Sequence, residues 1–220
     1  MNNKFVASAK WRFGLAVFMA ALIPLAMWAG LRGDPGRVLG LYAPVALLGA
    51  LLLRGLSACY GRMVIAMLLA MLAAGTFGRG DMVVQLATMI LAHLFLPVGF
   101  LLDRPRWKHV LIAGVAALAV NAALFGWLSG EVSPREEVPV FWAYAVLATI
   151  ITALAGGVVA KNRTAFAGAA CLVLAGFLYM HARYAAATPA SLLASLAAYY
   201  TAQMLLAVGA WNPGGACCRR

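Results

Sequence analysis

"SLAAYYTAQMLLAVG" occupies residues 195–209. Leu, Ala, Val and Met make up most of it, and Tyr199, Tyr200, Thr201 and Gln203 interrupt its middle. Whether those four are packing details or part of a site depends on the solvent around them. In lipid, polar side chains are costly and turn toward the protein interior.

The whole chain answers the question of solvent. Of 220 residues, 65% are hydrophobic and 10% charged, whereas soluble domains hold about 45–50% and about 25%. A membrane-spanning helix needs about 20 mostly apolar residues. Eight such runs are visible, at 13–31, 38–53, 63–78, 82–102, 110–128, 138–160, 165–182 and Pro189–Ala210. Between them, "RGDPGR", "DRPRWK" and "GEVSPREE" carry turn residues and charge. No connection is long enough to hold a soluble domain. The first run is longer than the apolar core of a signal peptide and lacks a clear A-x-A site, so it is read as a helix. The expected fold is an all-α polytopic membrane protein, one domain over residues 1–220, folded as a bundle of about eight transmembrane helices.

Charge orients the bundle. With the N-terminus in the cytoplasm, the cytoplasmic segments hold twelve basic residues: Lys4, Lys10, Arg12, Arg54, Arg62, Arg104, Arg106, Lys108, Lys161, Arg163, Arg219 and Arg220. The opposite side holds five, namely Arg32, Arg37, Arg79, Arg135 and Arg183. The positive-inside rule therefore favours eight spans with both termini cytoplasmic. Glu131, Glu136 and Glu137 fall on the outer side. The net charge of +11 is accounted for by this topology and by attraction to anionic headgroups, with no nucleic-acid partner. Short loops fit a bacterial inner membrane.

No Walker loop, CxxC, HExxH or GxSxG occurs, so neither metal nor cofactor is expected. Cys59 and Cys171 read as packing residues, and Cys217 with Cys218 as an uncommitted tail pair. The informative residues are the polar ones inside the runs. Gln85 and His93 share one side of the 82–102 helix. Tyr199 and Gln203 are spaced i,i+4, and Tyr200 and Gln203 i,i+3, on one side of the last helix. Asn121, Thr149 and Thr152 read as interhelical hydrogen-bonding residues. Asp81 is an N-cap candidate for the 82–102 helix. No carboxylate lies deep in any run, which argues against a proton-coupled transporter. The residues alone give a polytopic bundle with a polar pocket near the fourth and eighth runs.

"AAYYTAQMLLAVG" resembles the last helix of the YhhN family, whose animal members are lysoplasmalogenases and which ends in a Tyr-Tyr-x-x-Gln helix. "APVALLGALLL" at 43–53 resembles the family's Lys-Pro-Leu helix, with Ala43 in the lysine position. "ATMILAHLFLPVGF" at 87–100 is similar to its Phe-x-x-x-His-Leu-x-Tyr helix and places His93 on the histidine. "GAACLVLAGFLYMHARY" at 168–184 resembles its seventh helix. There the family carries Ser-Asp, and this chain has Ala175 and Gly176. The family's Gly-Asp of the third helix corresponds to Gly75 and Thr76, unless Gly80 and Asp81 are its displaced equivalent.

The resemblance implies hydrolysis of the vinyl ether of a lysoplasmalogen, in which an acid protonates the alkene and water attacks the cation. It assigns His93 and Asp81 as acid–base residues, and Tyr199, Tyr200, Gln203, Thr76 and Gln85 as substrate-binding residues. Asp81 and His93 are separated by about 18 Å of helix rise. The implied partner is a membrane lipid, either a lysophospholipid or an ether lipid. Two other readings remain open: a non-catalytic lipid-binding or structural bundle of the same fold, and a small-molecule transporter.

Overall fold

A computed structural model describes residues 59–77, 82–185 and 188–210, with backbone alone at 72–77, 82, 85 and 86. The expected spans at 13–31 and 38–53, the 43–53 motif, Asp81 and the Cys217–Cys218 pair lie outside the described residues. Every regular element among those described is helical. In chain order they are α1 (Cys59–Phe77), α2 (Met82–His93), α3 (Phe95–Leu102), α4 (Trp107–Ser129), a 3-10 turn (Arg135–Glu137), α5 (Val138–Val158), α6 (Arg163–Tyr184) and α7 (Pro189–Ala210). Four of the spans, Trp107–Ser129, Arg135–Val158, Arg163–Tyr184 and Pro189–Ala210, are long and apolar enough to cross a membrane.

Local chemistry sets the helix ends. Asn162 caps α6 by accepting the Ala165 N–H at 3.1 Å, and its amide also donates to the Gly209 carbonyl of α7 at 2.9 Å. One side chain thus starts one helix and ties it to the end of the next. At α7, Thr188 Oγ1 accepts the Ser191 N–H at 3.1 Å and Ser191 Oγ accepts the Thr188 N–H at 3.2 Å, a reciprocal cap. Pro189 then stands in the first turn, where its missing N–H is harmless.

The expected single helix over 82–102 is divided at Leu94 into α2 and α3. Pro97 is the cause. It lacks the N–H that the His93 carbonyl four residues earlier would accept, and its ring crowds that carbonyl. Beyond α3, Arg104 adopts φ 53°, a left-handed turn that reverses the chain without a glycine. Lys161, from the α5–α6 connection, donates to the carbonyls of Asp103 and Arg104 at 2.9 and 3.0 Å and so holds that turn. Burial pushes the Asp103 carboxyl above its ordinary range, and the charge of Lys161 pulls it back.

Among the described helices, α1, α2, α5, α6 and α7 pack in sequence around a closed ring, since α7 returns to α1. α3 continues beneath α2 against α1 and α5, and α4 lies outside the ring on α5. The ring encloses one contiguous core with Val64, Met67, Leu68, Ala92, Leu96, Leu147, Ile151, Leu172 and Leu206. Small residues let the backbones approach, as helices in lipid require. A Cβ on Gly156 would fall 2.3 Å from that of Ala113, and one on Gly168 would fall 2.8 Å from the Leu206 backbone nitrogen. α4 leaves Trp107, Leu111, Val115 and Leu118 exposed along one side, an apolar face suited to lipid.

Candidate functional site

The polar side of α7 is buried. Tyr200 and Gln203 are 2% and 1% exposed. The Tyr199 hydroxyl lies 3.6 Å and the Gln203 amide nitrogen 3.7 Å from one atom, the Sδ of Met71 on α1. A thioether is a weak acceptor, so two donors sharing it are poorly satisfied. The rings of Tyr199 and Tyr200 meet edge-on with centroids 5.8 Å apart. Neither the Tyr200 hydroxyl nor the Gln203 Oε1 has a hydrogen-bond partner among the described residues, although both atoms are buried. Leaving such an atom unpaired costs about 1–3 kcal/mol.

His93 contributes from α2. It is 3% exposed, and its Nδ1 lies 2.6 Å from the Met89 carbonyl oxygen. A carbonyl only accepts, so Nδ1 carries the hydrogen and Nε2 is the free acceptor of a neutral ring. That Nε2 is buried and unpartnered among the described residues.

α2 and α7 share no substantial interface. The Asn162–Gly209 and Lys161–Asp103 bonds mark one end of the bundle. Counting helix rise from Gly209, Gln203 and Tyr200 stand about 9 and about 14 Å above that end. Two further unpartnered buried atoms, Tyr60 Oη and His109 Nδ1, sit in the first turn of α1 and of α4, close to the loops.

The polar residues named from the sequence thus separate. Tyr199, Tyr200 and Gln203 lie together on α7, and His93 is buried on α2, a helix with no substantial interface to α7. The side chains of Thr76 and Gln85, like Asp81, lie outside what is described. Asn121 donates to Thr149 across α4 and α5 at 3.0 Å, an interhelical bond as expected. Thr152 departs from expectation: its hydroxyl donates to the Ala148 carbonyl of its own helix at 2.9 Å. A threonine in a helix reaches its own preceding turn more easily than a neighbour. Position 176, where the family resemblance expects a carboxylate, is packed against Tyr144. A Cβ there would fall 1.7 Å from the Tyr144 hydroxyl oxygen.

One cluster was missed. Where α5 begins and α6 finishes, Glu137 is 4% exposed. Arg183 donates to it through Nη2 to Oε1 at 2.8 Å and through Nε to Oε2 at 3.3 Å. Tyr184 donates its hydroxyl to the same carboxylate, and the Arg183 guanidinium stands 5.3 Å from the Tyr184 ring centroid. The signal was present in the charge count, which put Glu137 and Arg183 on one side of the membrane but did not pair them. Met71 was also missed, because a methionine in an apolar run reads as packing.

Compared with protein-family models, curated proteins and solved structures, the chain matches none. Among the described residues, no three His, Cys, Asp or Glu side chains are grouped to hold a metal.

Proposed function

We propose that this chain is a multi-pass protein of a bacterial inner membrane, built from eight helices with both ends cytoplasmic, that binds the polar part of a single-chain ether lipid or lysophospholipid within its ring. The observation that carries this reading is the unpartnered pair on α7. Tyr200 Oη and Gln203 Oε1 are buried in an apolar interior with no hydrogen-bond partner among the described residues. Two helices in contact gain nothing from such atoms, whereas an amphiphile entering from the bilayer would complete them.

Lysoplasmalogenase-like hydrolysis is the second reading, and His93 favours it. Its Nδ1 is anchored and its Nε2 is free, the arrangement of an oriented general base. A lone base lacks the acid that alkene protonation needs. Gly176 offers none, and its surroundings are filled by Tyr144.

The purified full chain in lipid nanodiscs should retain a single-chain lipid detectable by native mass spectrometry. It should turn over alkenyl lysolipid slowly or not at all. Retention of no single-chain lipid would overturn the binding reading. Rapid turnover abolished by His93→Ala would favour the hydrolase. Reporter fusions after Lys108 and Arg163 should read cytoplasmic and one at Glu136 external.

A further inference from the structure

Positive charge gathers on the surface where α4 begins. Arg104, Arg106 and Lys108 stand at alternate positions, and all three are exposed. Lys161 and Arg163, where α5 gives way to α6, are exposed as well. The two connections are tied together. Lys161 Nζ donates to the carbonyls of Asp103 and Arg104, and the Arg106 N–H donates to the Gly157 carbonyl at 2.9 Å. Asp103 is their only acid; it is half-buried and already feels the charge of Lys161. No ion pair joins Arg104, Arg106, Lys108 or Arg163 to an acid among the described residues. We infer that this end of the bundle docks an anionic diacyl phospholipid, with its phosphate among Arg104, Arg106, Lys108 and Lys161 and an acyl chain along α4.

The apolar half of such a ligand is matched directly beyond the cations. From Leu111 to Gly126 every exposed residue of α4 is apolar. Trp107, 66% exposed, stands at the change of character, flanked by Arg106 and Lys108. An exposed indole, apolar in its rings and polar at its N–H, sits at the boundary between hydrocarbon and headgroups. Trp127, also exposed, follows after about 30 Å of helix rise, which equals the hydrocarbon thickness of about 30 Å. The side bearing Trp107, Leu111, Val115 and Leu118 is about 16 Å long, close to the depth of one leaflet. Inorganic phosphate would use the cations and leave that side bare; a phospholipid uses both.

The other end of α4 shows that net charge, and not lipid contact alone, selects the ligand. There Glu131, Glu136 and Glu137 outnumber Arg135 and Arg183, and Arg183 is bonded to Glu137. A zwitterionic lipid suits both ends equally, whereas an anionic one is favoured only where α4 begins. Clustered Lys and Arg at a membrane surface attract anionic headgroups, and an arginine fork can take two phosphate oxygens. Lys161 spends two of its three N–H donors on the turn and keeps one. That turn, with Arg104 at φ 53°, fixes the backbone from which Arg104 and Arg106 project, so less remains to be ordered on binding. The site lies on the outer surface and does not depend on what fills the interior.

The test places the full chain in nanodiscs of phosphatidylglycerol and phosphatidylcholine, in equal amounts and with identical acyl chains. Native mass spectrometry then counts the lipids retained on release. Phosphatidylglycerol should be retained at least about fivefold over phosphatidylcholine. Arg106→Gln combined with Lys108→Gln should bring the ratio close to one, and Arg135→Gln should leave it unchanged. Higher salt before release should lower the ratio. Inorganic phosphate at matched ionic strength should not lower it further.

Equal retention of the two lipids by the unaltered protein would overturn the inference. So would a ratio that survives loss of Arg106 and Lys108 but falls with Arg135→Gln. Displacement by inorganic phosphate would reveal a site for a free anion, and a dimer without retained diacyl lipid would show a second copy covering α4; either result overturns it too. The comparison on the unaltered protein stands even if a variant fails to fold. Failure to retain a single-chain lipid would bear on the interior alone.

Discussion

At the end of the bundle where α5 begins and α6 finishes, Glu137 is buried with Arg183 and Tyr184 bonded to it. Away from that end, His93 on α2 and Tyr200 with Gln203 on α7 are buried to the same degree, with hydrogen-bonding atoms unpartnered among the described residues. The first group is charged and bonded; the second set is neutral and unpartnered among the described residues. A polar group that serves the fold is finished by the fold, because each unmet buried atom lowers stability. A polar group that serves a ligand is left for the ligand to finish. Burial alone does not separate the two roles, and the state of the hydrogen bonds does.

Placing a carboxylate where neither arrangement exists should give the largest effect. Gly176→Asp inserts one beside the Tyr144 hydroxyl, where even a Cβ falls 1.7 Å away. Arg183 is seven residues further along α6, about 10 Å of helix rise, and cannot neutralise it. Overpacking and an unpaired buried charge together should lower stability by about 3 kcal/mol or more. Thermal unfolding of the purified protein in one detergent would show this as a large fall in Tm. A variant as stable as its parent, with vinyl ether hydrolysis restored, would mean that Tyr144 yields and that the bundle retains a site for the family acid.

Removing the cation from the finished cluster should come next. Arg183→Met leaves the Glu137 carboxylate buried without its cation, still bonded to Tyr184. Breaking a fully buried pair costs about 3–5 kcal/mol, but the Arg183 side chain is 34% exposed, so about 2–3 kcal/mol is expected. Adding Glu137→Gln should recover at least half of that loss in the same melt, since no charge then remains. A loss that the second substitution does not recover would show that Arg183 acts through packing over Tyr184.

A smaller effect is expected at the opposite end. Asn162→Ala removes the α6 cap and the bond to the Gly209 carbonyl. Its cost should be about 1–2 kcal/mol, the upper part of the range for a lost cap. Proteolysis of the α5–α6 connection should accelerate accordingly. An unchanged melt would mean that water replaces the side chain at both positions.

Legibility in the sequence followed the same division. Apolar length fixed α7 at Pro189–Ala210, and α5 and α6 within two residues at each end, because lipid-compatible helices are set by length and composition. The division at Leu94 was readable from Pro97 but yielded to the continuous apolar run around it. The spacing of Tyr199, Tyr200 and Gln203 placed them on one side of a helix, and they are buried together. Partners across the bundle were not readable. Nothing in the spacing of Met71, 128 residues before Tyr199, or of Glu137, 46 residues before Arg183, declares contact. Those pairs depend on the ring, which hydropathy does not encode.

The smallest change in stability is expected at Gln203, and its sign tests the comparison most sharply. Gln203→Leu keeps nearly the same volume and helix propensity. It removes one weak N–H contact to a thioether and one buried carbonyl oxygen with no partner among the described residues. The first loss is a fraction of a kcal/mol, while relief of the second is worth about 1 kcal/mol or slightly more. Stability should therefore stay level or rise by up to about 1 kcal/mol, opposite in sign to Arg183→Met. Retention of a single-chain lipid should fall in the same preparation. Gain of stability with loss of binding is the signature of a residue held in place for a ligand. A fall of about 2 kcal/mol or more would place Gln203 with Glu137, as part of the scaffold, with bonding partners supplied by residues outside those described.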